Sequence, residues 1–311
     1  MEDLSLGVTP SFRGTQTFPH ITELSLSPNL TNPRTSFIPI LDALERLPGL
    51  VKVHFLFQED WFSEIHSRNL ITLPSVQEMV LCAADISGGL RPSVIPPILR
   101  FLKLPKATSL VMSSVFPISL DTSILPVTSF SEHLPNYVEL PELRIDTTAS
   151  RGEIVFRSAS QATFTYVTGL LCDYGRERRL WGGLPLSSIR KVTAVLVDPT
   201  LGNEDAWLVD VLGEVGSLEL LELAGDCGHV LWHLHHRVAQ GMLWVDIKAL
   251  TVRGGEYART QALKFESTRD DLGLQNMTVT YILDPEVHEG LPQDPDAESL
   301  GGDEVWVWNE D

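Results

Sequence analysis

The sequence predicts an α/β solenoid, a leucine-rich-repeat horseshoe built from irregular repeats of about 26–31 residues. Three observations predict it. A short apolar frame recurs along the chain. An apolar residue followed by Pro stands ahead of four early copies, at Phe18-Pro19, Leu47-Pro48, Leu73-Pro74 and Leu104-Pro105. A capped helical stretch stands directly before one later copy.

The frame is one apolar residue, two variable ones, then apolar-x-apolar. Ile21 leads Leu24 and Leu26, Leu50 leads Val53 and Phe55, Val76 leads Met79 and Leu81, and Ala107 leads Leu110 and Met112. After a gap, Ile189 leads Val192 and Ala194, Leu218 leads Leu221 and Leu223, and Ile247 leads Leu250 and Val252. A weaker last copy reads Leu274, Met277, Val279. The lead positions keep one approximate period, and the gap from Ala107 to Ile189 is close to three such periods. The first copy continues to Asn29, so Ile21-x-x-Leu24-x-Leu26-x-x-Asn29 is the leucine-rich-repeat frame. Alternate residues of a strand point to opposite faces, so the apolar-x-apolar pair buries one face and the residues beside it face away. One such unit cannot bury its own apolar side, which is why such units stack.

The intervening elements follow in order. Residues 3–6 fit the end of a strand. Residues 35–47 read as a helix with Phe37, Leu41 and Leu44 on one face and Thr35 or Ser36 as cap. Residues 93–103 read as a second helix, with Pro96-Pro97 in its first turn. The stretch 203–215 is the clearest helix. Asn203 caps it, Glu204 and Asp205 suit its positive end, Leu208, Val211, Leu212 and Val215 form its stripe, and Gly216 stops it. Residues 113–150 break the rhythm and read as either a long insertion or degenerate repeats, within an irregular insertion that spans 113–188. Within it, Glu153–Phe156 and Gln161–Val167 read as two strands, a hairpin departing from the solenoid. The repeat domain spans 1–283. Residues 284–311 read as an acidic, mostly disordered tail. Its exception is Val305-Trp306-Val307-Trp308, a run suited either to adding an end strand or to docking on a partner.

The 311 residues carry a net charge of −18. Ten Asp or Glu and no Lys or Arg fall in 284–311, leaving −8 on the rest. That balance argues against nucleic acid or an anionic membrane as partner. Three widely spaced cysteines, Cys82, Cys172 and Cys227, suggest no disulfide framework. The N-terminus lacks a signal-peptide pattern, and no stretch is apolar enough to span a bilayer. The expected location is cytoplasmic or nuclear.

Candidate chemistry is sparse. His229, His233 and His236 share one face of a predicted helix, opposite Leu231, Leu234 and Val238, with Cys227 nearby. Imidazoles one turn apart suit zinc, but the pattern lacks the Glu of His-Glu-x-x-His. Arg176-Glu177-Arg178-Arg179 with Trp181 is a local basic patch on a mildly acidic body. No phosphate loop or nucleophile elbow occurs. The reading is therefore non-catalytic, with no cofactor and no metal site. The binding candidates are the outward positions of the frames: Glu23, Ser25, Lys52, His54, Glu78, Lys191, Thr193, Glu222 and Thr251.

The frames, best seen at Ile21–Asn29, Ser217–Cys227 and Ile247–Arg253, resemble the leucine-rich-repeat region of fungal F-box-like proteins. The resemblance covers most of residues 3–283. It implies an intracellular protein-interaction scaffold, the substrate-recognition part of an F-box-type ubiquitin ligase receptor, with a Skp1-type adaptor as partner where an F-box lies upstream. No F-box precedes the first repeat in this sequence. The other readings are a metal-binding or thiol enzyme using the His229–His236 helix, and a repeat-only remnant without a defined partner.

Overall fold

The computed structural model describes residues 2–6, 17–26, 38–57, 70–83, 98–114, 130–148, 151–168, 186–196, 205–241, 247–274 and 277–284. The chain is an α/β protein built on one large, mostly parallel sheet. In chain order the strands are β1 (Glu2–Leu6), β2 (Ile21–Leu26), β3 (Lys52–Phe57), β4 (Ile71–Thr72), β5 (Glu78–Ala83), β6 (Leu102–Lys103), β7 (Ser109–Ser114), β8 (Glu142–Thr148), β9 (Arg151–Arg157), β10 (Thr163–Thr168), β11 (Lys191–Leu196), β12 (Leu220–Gly225), β13 (Ala249–Gly254) and β14 (Thr278–Leu283). Across the large sheet the order is β1-β2-β3-β5-β7-β10-β9-β8-β11-β12-β13-β14. Neighbours pair in parallel except around β9, which runs antiparallel to both β8 and β10. A separate two-stranded piece joins β4 to β6.

The frames fall into register across the sheet. Leu24 pairs with Val53, Val53 with Met79 and Met79 with Leu110. Beyond the middle, Leu143, Val192, Leu221, Leu250 and Val279 continue the same row. A second row two places on runs from Leu26 through Phe55, Leu81 and Met112 to Ala194, Leu223 and Val252. Apart from the partly buried Val279, these residues are all buried in one cluster. Each large apolar side chain so placed contributes about 1.5–3 kcal/mol relative to exposure, and the rows together hold the strands in line.

The apolar-Pro dipeptides gain a physical meaning. In three of the four, the apolar residue accepts a hydrogen bond from a backbone N–H just beyond the turn: Phe18 from Ile21, Leu47 from Leu50, Leu104 from Ala107. Leu47, Leu73 and Leu104 are buried, and Pro starts the turn that aims the chain into the next strand. The turn is followed by a bond to the previous repeat, as in Gln77 N–H to Val51 O and Thr108 N–H to Gln77 O, both 2.8 Å.

The second layer carries helices α1 (Ile38–Glu45), α2 (Phe130–His133), α3 (Asp205–Glu214), α4 (Gly228–Ala239) and α5 (Glu256–Asp271). Helix α1 falls within the predicted 35–47, and Ile40, Leu41, Ala43 and Leu44 are buried. Helix α3 falls within 203–215, with Leu208, Val211 and Leu212 buried. The expected caps Thr35, Ser36 and Asn203 lie outside the described residues. Helices α3, α4 and α5 pack side by side, with α5 against β13 and β14.

Three expectations are corrected, and one helix has no counterpart among them. Of the predicted helix 93–103, the described part is one 3-10 turn, Ile98–Phe101, and then a strand. Leu102 and Leu104 are both buried, and Leu73 N–H donates to Lys103 O (2.9 Å), so the chain is drawn out to pair with β4. The two strands expected in 113–188 do pair antiparallel as a hairpin, β9 with β10, but it does not depart from the sheet. They are its centre, because Phe156 and Ile154 on β9, and Phe164 and Tyr166 on β10, fill the two apolar rows. The last copy is shifted along its strand. Leu250 pairs with Val279 and Val252 with Tyr281, so Val279 takes the place that the frame assigned to Met277. Finally, nothing in the sequence pattern foretells α5. Its buried face is Ala258, Gln261, Ala262, Phe265 and Arg269, too polar to read as a stripe. The predicted 284–311 tail, apart from Asp284, the Arg176–Arg179 patch and Val305–Trp308 lie outside the described residues.

Candidate interaction surface

Because the apolar rows point inward, the residues that alternate with them form two rows on the opposite face of the sheet, one before the first apolar row and one between the two. None of the described residues in these two rows is buried. The structure brings the sequence candidates into two groups. In the first, Glu23, Lys52 and Glu78 lie side by side on β2, β3 and β5, and Ser25 pairs with His54 in the next row. Lys52 Nζ stands 4.0 Å from Glu23 Oε1 and 4.0 Å from Glu78 Oε2. These exposed pairs set a charge pattern and add little to stability.

In the second group, Thr193, Glu222 and Thr251 are register partners on β11, β12 and β13. Lys191 Nζ lies 3.1 Å from Glu222 Oε1, and Thr193 Oγ1 donates to Glu222 Oε2 (2.9 Å). Partial burial pushes the Glu222 carboxyl up, but the bonds from Lys191 and Thr193 and the Lys191 charge more than offset it, so the group sits below its ordinary value. At neutral pH it is a fixed, pre-oriented anion.

The structure adds residues that the frames had missed. Glu142, Arg144 and Arg157 join Lys191, Thr193 and Glu222 around a depression on this face, whose lining also includes Leu143 and Val155. Arg157 Nη1 lies 3.4 Å from Glu142 Oε2, and Arg144 Nε lies 2.8 Å from Asp146 Oδ2. A signal for Glu142 and Arg144 was present. Leu140-x-x-Leu143-x-Ile145 is a further copy of the frame, with all three residues buried, standing between the copies led by Ala107 and Ile189. Arg157 had no such signal, because its strand is reversed. Between the two groups the face carries no charge on β7 and β10, where Ser109, Val111 and Ser113 pair with Thr163, Thr165 and Val167.

The other chemical candidates take these places. On α4, Val230, Leu231, Leu234 and Val238 are buried. The His229 ring packs 5.6 Å from Tyr257, and Trp232 lies between His233 at 4.8 Å and His236 at 4.0 Å. His236 Nδ1 is 2.8 Å from Trp232 O. Among the described residues, no three His, Cys, Asp or Glu side chains come together as metal ligands would. Cys82 Sγ lies 3.7 Å from His54 Nε2 on the solvent face, but burial pushes the thiol up, the opposite of an activated nucleophile. Cys227 is buried, and Cys172 lies outside the described residues. No described helix is long and apolar enough to cross a membrane.

Comparison with known proteins finds no matching family model, no matching curated protein and no matching solved structure.

Proposed function

We propose that the chain is a leucine-rich-repeat solenoid acting as a non-catalytic protein-interaction scaffold, and that the solvent face of its sheet is the binding surface. One observation carries the reading. Two rows of non-buried residues run in register from β2 to β14, presenting a charged group, an uncharged band and a second charged group in fixed order. Rigid strands hold that pattern with little ordering cost on binding. The mixed charges suit specificity, since like charges brought together across an interface penalise wrong partners.

The repeat frame supports a finer proposal, that this is the substrate-recognition part of an F-box-type ubiquitin ligase receptor, with cytoplasmic or nuclear location and a Skp1-type adaptor among its partners.

The test is co-purification of the tagged chain from its own cell extract, compared with Arg157→Glu/Lys191→Glu and with Lys264→Glu on the outer side of α5. Partners lost with the first variant and kept with the second support the face as the binding surface. Partners indifferent to both would sink it. An adaptor and cullin among the captured proteins supports the ligase reading; partners without them leave a free-standing scaffold.

A further inference from the structure

The C-terminal edge of the sheet is open in a way that the rest of the molecule is not. Four of the five exposed large hydrophobic residues among those described belong to its last two elements: Leu263 on α5 (54% exposed), Leu272 just after it (49%), and Ile282 (40%) and Leu283 (55%) on β14. Strand β14 reads Thr-Val-Thr-Tyr-Ile-Leu. It has no charge and no Pro, the devices that keep a free edge from pairing. Its inner side is well held: Tyr281 Oη lies 2.6 Å from the carbonyl oxygens of both Gly254 and Gly255, which share its one proton, under the Arg259 guanidinium. Among the described strands, none lies along its outer side. The terminal units of a stacked array need a cover.

We propose that this edge is the docking site of Val305–Trp308 of the same chain, by strand addition. Two independent lengths meet at that segment. The three preceding crossovers, 197–219, 226–248 and 255–277, are equal in length, and the one from β3 to β5, 58–77, is slightly shorter. The stretch from β14 to Val305, 284–304, is intermediate between them. The second length is the repeat itself. The step from Val279 to Trp306, like that from Tyr281 to Trp308, is longer than the step from Val53 to Met79 and shorter than that from Leu24 to Val53. The run is uncharged and β-forming, between Glu304 and Asn309. In that register Trp306 and Trp308 extend the two apolar rows, on the side of the sheet that Val279 and Tyr281 share, and Val307 lies beside Thr280. The proposal does not depend on which partner the sheet face binds.

Hydrogen exchange tests it in the full chain. In the intact protein the outward amides of β14 exchange as slowly as those of β13. In Trp306→Ala/Trp308→Ala they exchange at least about tenfold faster, while β11–β13 stay protected and show that the variant is folded. Equal, fast exchange in both proteins would overturn the proposal. So would protection that fades on dilution, because a second copy would then occupy the edge. Thr280→Cys/Val307→Cys supplies a separate readout: mild oxidation joins the two within one molecule. A bond found only between molecules assigns the edge to a second copy and removes the segment from it.

Discussion

Strands β11–β14 and strands β8–β10 build the same surface by different routes. In β11–β14 the inward residues Val192, Leu221, Leu250 and Val279 follow one another at one constant interval, every crossover has the same length, and every strand is parallel. In β8–β10 the chain enters two places too far along, then folds back through the reversed β9, and β10 fills the place beside β7. Yet Phe156 and Ile154 of β9 occupy the same two rows as Leu221 and Leu223. A side-chain period of two fixes which face is buried, and it does so whichever way the strand runs. Direction is set by the connections. Long crossovers return the chain to the same end of the sheet and allow parallel strands, whereas β8 and β9, only two residues apart in sequence, can pair only antiparallel.

The largest expected effect tests whether the reversed strand is as integral as the regular ones. Phe156→Ala should cost about 3–5 kcal/mol and Leu221→Ala about 2–5 kcal/mol, each in a single denaturant transition. A separate early transition for Phe156→Ala would break the equivalence and make β8–β10 an accessory block. Next comes the end of β12. Gly225 has φ +84°, and an added Cβ would overlap the Leu196 carbonyl oxygen. Gly225→Ala should cost about 1–3 kcal/mol by the same assay, showing that the close approach of β11 and β12 is essential.

A smaller effect comes from α4, which belongs to the helical layer behind the regular half. Burial first, then His236 and Lys264, hold His235 below its ordinary 6.5. The unfolded chain therefore binds the proton more readily. The stability associated with neutral His235 is full above 6.5 and falls as pH drops through the lower folded value. Urea midpoints measured between neutral and mildly acid pH should fall, and His235→Phe should flatten that slope; an unchanged slope assigns it to other groups. Smallest is Lys191→Met. The Lys191–Glu222 pair is more than a third exposed on each side, so unfolding stability at neutral pH should move by under about 1 kcal/mol. The Glu222 contribution is full above the ordinary 4.5 and vanishes as pH falls through the lowered folded value, so the variant should lose part of that acid dependence in the same urea series.

The regular half was legible in the sequence because its apolar rows are large, complete and evenly spaced. Lys191, Thr193 and Glu222 followed from the frame as outward positions, and the folded sheet brings them together. The depression they share with Glu142, Arg144 and Arg157 did not follow. The copy at Leu140 is obscured by the Pro- and Ser-rich stretch before it, and β9 carries its residues in reverse order. Helix α5 was hidden for another reason. Its partner is the adjacent α4 as much as the sheet, so Ala258, Ala262 and Gln261 suffice at the contact and no hydrophobic stripe is needed.

The residues alone specify which side of each strand is buried, because burial of alternate side chains is a local, periodic property of the chain. They also specify where turns begin, because Pro removes a donor and presets its own torsion. Which strand lies beside which was settled only in the folded sheet. Neighbouring strands are chosen by long-range pairing and by packing across the helices, and a run such as Arg151–Arg157 has the same alternation read from either end.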